Sequence, residues 1–286
     1  MNIRGSALVL LSLPILGHWF SGASLAAGNS EAIAQLPVDT ADGTSSRAAN
    51  RTLGAKVLGK ALTIFQHCTA NEYAHTPGKA DDQVVDNGDG TSNCATDCSG
   101  FVSYVLKAVA KKHYELVVDF AGGHRPRANR YAQFFAQLSS DPINGWLKVP
   151  SVQALAPGDL IAWESPSYEE HHKGNSGHVM IVSAAPGAVQ EELIAGQTIR
   201  YISIPVIDSS SVRHFAPEQL PPKAHQTQRD GLGMGTVRII LDAQNNDKPV
   251  GYWEGTFWGE GQKVIRKPTL SNNVSFGRLV GFRESE

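Results

Sequence analysis

The sequence predicts an α+β domain: helices from the first half of the chain packed on a mainly antiparallel sheet built from the second half. Three observations lead there. Apolar residues recur at helical spacing in stretches before residue 140, short β-type runs follow from Asp159 onward, and turn-forming clusters separate those runs. No internal repeat is visible.

In chain order, Met1–Arg4 carries one positive charge, Ala7–Phe20 is apolar, and Ser24-Leu25-Ala26-Ala27 suits cleavage after Ala26. This is the layout of a secretory signal peptide, and the apolar run is short for a membrane span. Residues 1–26 are therefore expected to be a leader, 27–52 a polar linker, and 53–286 the catalytic domain. The exported product is expected in the periplasm or extracellular envelope, with no stable membrane insertion.

The first helix is expected from Leu53 to Cys68, where Val57, Leu58, Ala61, Leu62 and Phe65 share a face. Asp86-Asn87-Gly88-Asp89-Gly90-Thr91 lacks the ligand spacing of a calcium loop and reads as a tight turn. A second helix follows Asp97, with Phe101, Val105 and Val109 along one stripe, and a third is expected over Arg127–Leu138. The β-type runs are Asp159–Trp163, His178–Ala184, Arg200–Asp208, Thr236–Leu241, Gly251–Phe257 and Asn273–Phe282. Gly231-Leu232-Gly233-Met234-Gly235 has no strand–loop–helix context for phosphate binding and is expected to lead into a strand as a turn. Asn245-Asn246-Asp247-Lys248 reads as a hairpin loop.

With 25 basic and 27 acidic residues the charge is nearly balanced, which gives no footprint for nucleic acid. Three cysteines, Cys68, Cys94 and Cys98, leave one thiol over if two pair. The simplest arithmetic joins Cys68 to Cys94 and leaves Cys98, though spacing alone does not show whether that bridge forms.

Cys98 stands out chemically. Asp97 is a preferred N-cap, so Cys98 falls in the first helical turn, beside unpaired N–H groups and the positive end of the helix dipole. That setting favours a thiolate nucleophile and can hold an oxyanion. Among ten histidines, His178 opens an apolar run, Gly177-His178-Val179-Met180-Ile181-Val182, and a strand end suits a general base. His171 and His172 sit in a polar loop without the ligand set of a zinc site, and no metal or organic cofactor is implied. Asp208 shares a face with Ile202, Ile204 and Val206. If Ala184 faces Ile202 in an antiparallel hairpin, His178 and Asp208 lie directly opposite each other, and Asp208 can orient the imidazole.

Asp97-Cys98-Ser99-Gly100-Phe101-Val102, Ala156-Pro157-Gly158-Asp159-Leu160 and Gly177-His178-Val179, in that order, resemble the NlpC/P60 family of papain-like cysteine peptidases. The resemblance covers roughly residues 53–210. It implies a papain-like fold with the Cys helix on an antiparallel sheet, Cys98 as nucleophile, His178 as base and a third polar residue at Asp208. Many family members carry His, Asn or Gln at that third position, so an acidic residue is a departure. The resemblance further implies Tyr73, Asp97, Ser99 and Gly177 as substrate contacts and peptidoglycan stem peptides as substrate, cut at amide bonds that typically follow γ-D-glutamyl. Two other readings keep the same residues: acyl transfer to an amine, and a wall-binding protein with a degenerate site. The polar loop Glu164–Ser176, which leads into His178, is expected to border the cleft.

Overall fold

In a computed structural model of the chain, the described residues fall within one compact unit, Gly43–Glu286. The structure describes residues 44–75, 84–142, 144–171, 174–194, 196–211, 230–244, 248–253, 257–259, 262–264, 269–270 and 273–282. The expected leader and much of the expected linker lie outside these residues, as do His172 and Asn245–Asp247.

The helices come first. They are α1 (Thr44–His67), α2 (Cys98–Val109), α3 (Lys111–Phe120), α4 (Ala128–Gln137) and the short α5 (Pro166–His171). The first helix reaches back past Leu53 into the segment read as linker. Nothing in Thr44–Thr52 opposes this, because the stretch holds neither Gly nor Pro. Helix α3 was not expected. Its buried stripe is His113, Tyr114 and Val117, which is too polar to register as apolar periodicity. No helix among the described residues is long and apolar enough to cross a membrane.

Three short strands, β1 (Cys68–Glu72), β2 (Val84–Asp86) and β3 (Ser92–Ala95), form a small sheet in the order β1-β3-β2. The turn between β2 and β3 is closed by its own side chains. Asp86 Oδ1 accepts from Gly88 N at 2.8 Å, and Asp89 Oδ1 accepts from Thr91 N at 2.9 Å. The expected turn is thus a pair of Asx turns.

The large sheet is assembled from β4 (Trp146–Lys148), β5 (Leu160–Glu164), β6 (Gly177–Val182), β7 (Val189–Ile194), β8 (Gln197–Ser210), β9 (Gly231–Leu241), β10 (Pro249–Trp253), β13 (Thr269–Leu270) and β14 (Val274–Leu279). Its order is β13-β10-β9-β8-β6-β5-β14-β4, with β7 paired to the first half of β8, and its pairings are antiparallel. Two further strands, β11 (Phe257–Gly259) and β12 (Gln262–Val264), pair with each other. The chain is an α+β protein with a large antiparallel sheet and few helices.

The sheet curls. Although β10 and β14 lie far apart in strand order, they touch, and Trp163 of β5 stacks on Tyr252 of β10 with ring centroids 4.2 Å apart. Strand alternation therefore serves two cores. Leu160, Ala162, Val179, Ile181, Ile207 and Leu279 face the helices, where they meet Phe101, Val102, Val105 and Phe135. Ile161, Trp163, Met180, Val182, Ile202, Ile204, Val206, Val237 and Ile239 line the concave face. Burial on both faces explains why these strands read as continuous apolar runs.

Two close approaches set the frame. The Pro157-Gly158-Asp159-Leu160 turn lies against α1, and Gly158 has φ +89°; a Cβ there would sit 2.1 Å from the Gly54 carbonyl oxygen. The same turn is tied to β14, since Arg278 Nε and Nη2 donate to Asp159 Oδ1 and Oδ2 at 2.8 and 2.7 Å. Asp159 Oδ2 also accepts from Ala156 N at 2.7 Å. Gly158→Ala combines positive φ with a backbone clash and should lower stability by about 2 kcal/mol or more. Urea denaturation would read this as a lower midpoint at constant m-value; an unchanged midpoint would refute the close-approach argument.

Candidate active site

Cys98 begins α2, as the motif predicts. The N-cap is Asp97, in extended conformation, whose Oδ1 accepts from Gly100 N at 2.6 Å. The same carboxylate gathers its surroundings. Oδ1 accepts from Ser99 Oγ at 2.9 Å and Arg125 Nη1 at 3.1 Å, and Oδ2 accepts from Arg125 Nη2 at 3.0 Å. His75 Nδ1 lies 3.2 Å from Oδ2, so that nitrogen donates, and Nε2 is hydrogen-bonded with the Tyr73 hydroxyl, also at 3.2 Å. Burial opposes the Asp97 charge, but hydrogen bonds from His75, Arg125 and Gly100 N outweigh it and hold the carboxyl well below the usual range.

His178 and Asp208 sit at one end of the concave face, on the same rows as Met180 and Val206. Their register differs from the expected one. Ile181 pairs with Ile207 and Val182 with Val206, a displacement of two residues, so His178 and Asp208 are diagonal rather than directly opposite. The reason is that β6 stops at Val182 and Ile202 pairs instead with Val189 of β7. A slip of one residue would have separated the two side chains onto opposite faces, whereas a slip of two keeps them together. His178 Nε2 and Asp208 Oδ2 are directly hydrogen-bonded.

With Nε2 engaged by Asp208, Nδ1 is the nitrogen left for Cys98, which lies within interaction range of the imidazole. The structure thus brings Cys98, His178 and Asp208 into one line. Burial disfavours a charged imidazole here, yet Cys98 and Asp208 overcome it and raise the His178 pKa well above its ordinary value. Trp163, directly opposite His178 on β5, lies over the ring at 5.4 Å and separates it from the concave interior.

The expected contacts are placed as follows. Ser99 is buried and accepts from Arg125 Nη1 at 3.0 Å while donating to Asp97. Gly177 has φ +126°, and a Cβ there would lie 1.9 Å from the Trp163 carbonyl oxygen, so close strand approach demands glycine. Tyr73 is joined to the cysteine helix through His75 and Asp97. Within the segment Glu164–Ser176, Pro166–His171 form α5; Arg127 Nη2 donates to Gly174 O at 3.0 Å and its guanidinium lies 5.3 Å from the Tyr168 ring.

Sequence reasoning missed Arg125, His75, Trp163 and Ser209. Ser209 donates to Thr96 O at 2.6 Å and so anchors β8 beside the segment that delivers Cys98. These residues meet across long sequence separations, and only Trp163, on the strand expected to precede His178, carried any local signal. The glycine-rich run Gly231–Gly235, expected as a turn, is itself the start of β9. Ser210, Asp208 and Val206 face Gly231, Gly233 and Gly235, while Leu232 and Met234 pack toward the helices. A strand whose first three positions on one face are glycine does not read as alternation there.

No protein-family model matches the chain, and no solved structure matches it. An uncharacterised protein of Acanthamoeba polyphaga mimivirus is 27% identical over 156 residues, which is 51% of this chain and 63% of the viral protein. The matched region is thus less than two thirds of that relative.

Two outcomes follow. Because the folded pKa of His178 is raised, its charge stabilises the fold fully below the ordinary value of 6.5, and that contribution fades as pH rises through the folded value. Imidazole NMR should therefore show His178 titrating above 6.5 in the wild type, and lower in both Cys98→Ala and Asp208→Asn; identical titrations would refute the pairing. Asp97→Ala removes the cap and leaves Arg125 without its carboxylate, so stability should fall by roughly 3 kcal/mol in thermal or chemical unfolding.

Proposed function

We propose that the chain is a papain-like cysteine amide hydrolase of the NlpC/P60 type. The observation that carries this reading is His178 held between Cys98 at a helix N-terminus and Asp208 on the neighbouring strand. A thiolate–imidazolium pair supplies both a nucleophile and a proton donor without further activation.

In this mechanism Cys98 Sγ attacks the amide carbonyl carbon and forms a tetrahedral intermediate. Asp97 engages the N–H groups of Gly100 and Phe101, so the developing oxyanion falls to the N–H groups of Cys98 and Ser99. His178 passes its proton to the leaving amine, the C–N bond breaks and a thioester remains. His178, now neutral, takes a proton from water as the water attacks the thioester; the acid is released and Cys98 leaves as thiolate, which restores the thiolate–imidazolium pair. Asp208 holds the ring orientation and stabilises the imidazolium throughout. Asp97 and Ser99 act as positioning residues, because their polar atoms are already engaged with Arg125 and the first turn of α2.

The substrate class follows the resemblance: stem peptides of peptidoglycan, cut within the cell envelope. Mass spectrometry of muropeptides incubated with wild type and with Cys98→Ala checks it. The wild type should release pairs of fragments whose masses together equal the parent plus one water, and the variant should lose at least a thousandfold in rate, in line with loss of a catalytic nucleophile. Matching digests from the two proteins would overturn the proposal. Products carrying an added amine, when one is supplied, would replace hydrolysis with acyl transfer.

A further inference from the structure

Two thiols outside the catalytic line lie side by side. Cys68 begins β1 and Cys94 sits in β3, the strand hydrogen-bonded to it. The two strands are parallel: Cys68 pairs with Ser92, and after a bulge Ala70 pairs with Asn93 and Asn71 with Cys94. The bulge breaks the regular register between the strands beside Cys68. Cys94 lies two residues along β3 from Ser92, the partner of Cys68, so the two side chains are diagonal neighbours close enough to interact, and both are present as thiols. Cys94 is fully buried, and Cys68 is part-exposed, with its Sγ 3.4 Å from the Ala70 carbonyl oxygen.

Cys98 does not compete for this pairing. It lies four positions beyond Cys94, but it is already in the first turn of α2 and its thiol is held by His178. A bridge from Cys98 to either of the other thiols would have to break that contact.

We infer that Cys68 and Cys94 are a disulfide-forming pair that staples β1 to β3, leaving Cys98 as the thiol that stays reduced. The reaction is thiol–disulfide exchange. The part-exposed Cys68, as thiolate, attacks an external disulfide, forms a mixed disulfide and expels one thiol; Cys94 then attacks Cys68 Sγ and expels the second. Cys68 and Cys94 lose two protons and two electrons in total, and the external disulfide is reduced to two thiols.

The position of the staple gives it a consequence for the site. Past Cys68, β1 continues into Tyr73 and His75; past Cys94, β3 continues into Thr96, Asp97 and Cys98. The two continuations stay paired, with Thr96 N donating to Glu72 O at 3.0 Å and Ala74 N to Thr96 O at 3.4 Å. A covalent tie at the start of this pair removes the freedom of the two strands to separate in partly unfolded states. It thereby holds His75 against Asp97 at the base of the cysteine helix.

The inference is independent of the substrate assigned above and is tested apart from it. The full chain is incubated with oxidised glutathione, alkylated with iodoacetamide and digested without reduction for mass spectrometry. The expected result is a cross-linked Cys68–Cys94 peptide lighter by two hydrogens than the two peptides together, with Cys98 carrying the alkyl group. Full alkylation of all three cysteines after oxidation, or a cross-link that includes Cys98, would overturn it. The oxidised protein should also melt at a higher temperature than the reduced one. That difference should vanish in the double variant Cys68→Ser, Cys94→Ser and persist in Cys98→Ala. Its persistence in the double variant would count against the staple, and the peptide map decides the question even if that variant does not fold.

Discussion

A single buried carboxylate, Asp97, organises the approach to Cys98. Its two oxygens accept from the first turn of α2, from Ser99, from Arg125 on the segment between α3 and α4, and from His75 beyond β1. A charge at that depth is tolerated only when its lone pairs are taken up, so the segments that supply the donors must converge there. Helix start, small sheet and interhelical segment are thus fixed relative to the thiol by one set of charge-assisted hydrogen bonds. Cys98 needs no direct contact from most of them, because it inherits its position from the cap.

The curl of the large sheet accounts for the other half of the site. The helix-facing side of β6 and β8 is packed by α2, while their concave rows run through Met180, Val182, Ile204 and Val206 and end in His178 and Asp208. A polar pair at the end of an apolar row is shielded from water without being enclosed in hydrocarbon, and Trp163 closes its inner side. Burial works against a charged imidazole there, and the flanking Cys98 and Asp208 outweigh it. Close backbone approaches give the strand ends their geometry: Gly177 lies against the Trp163 carbonyl and Gly158 against α1, where side chains would collide. The glycine motifs beside His178 and Leu160 are steric requirements as much as chemical ones.

Fold class was legible because apolar period changes along the chain, from helical spacing before residue 140 to short alternating or continuous runs after it. Helix α2 and its cap, the strand opening at His178, and the face shared by Asp208 and Val206 were legible for the same local reason. Helix α3 and the first strand residues of β9 were not, because His113 and Tyr114 carry one stripe and glycine occupies one face of the other. The small sheet escaped notice because its strands are three to five residues long and half exposed.

By itself the sequence determined which residues have the right chemistry and which side of a strand or helix each occupies, since those depend on a few neighbouring positions. It identified Cys98 at a helix start, His178 at a strand end and Asp208 on an inward row. Only the tertiary structure decided how the rows meet: β7 takes the first half of β8, so β6 slides by two residues and the His178–Asp208 contact becomes diagonal. It also decided that Arg125 and His75 converge on Asp97, and that Cys68 meets Cys94. Those pairings are set by how the whole chain shares burial and satisfies buried charge, and no short window of sequence contains that information.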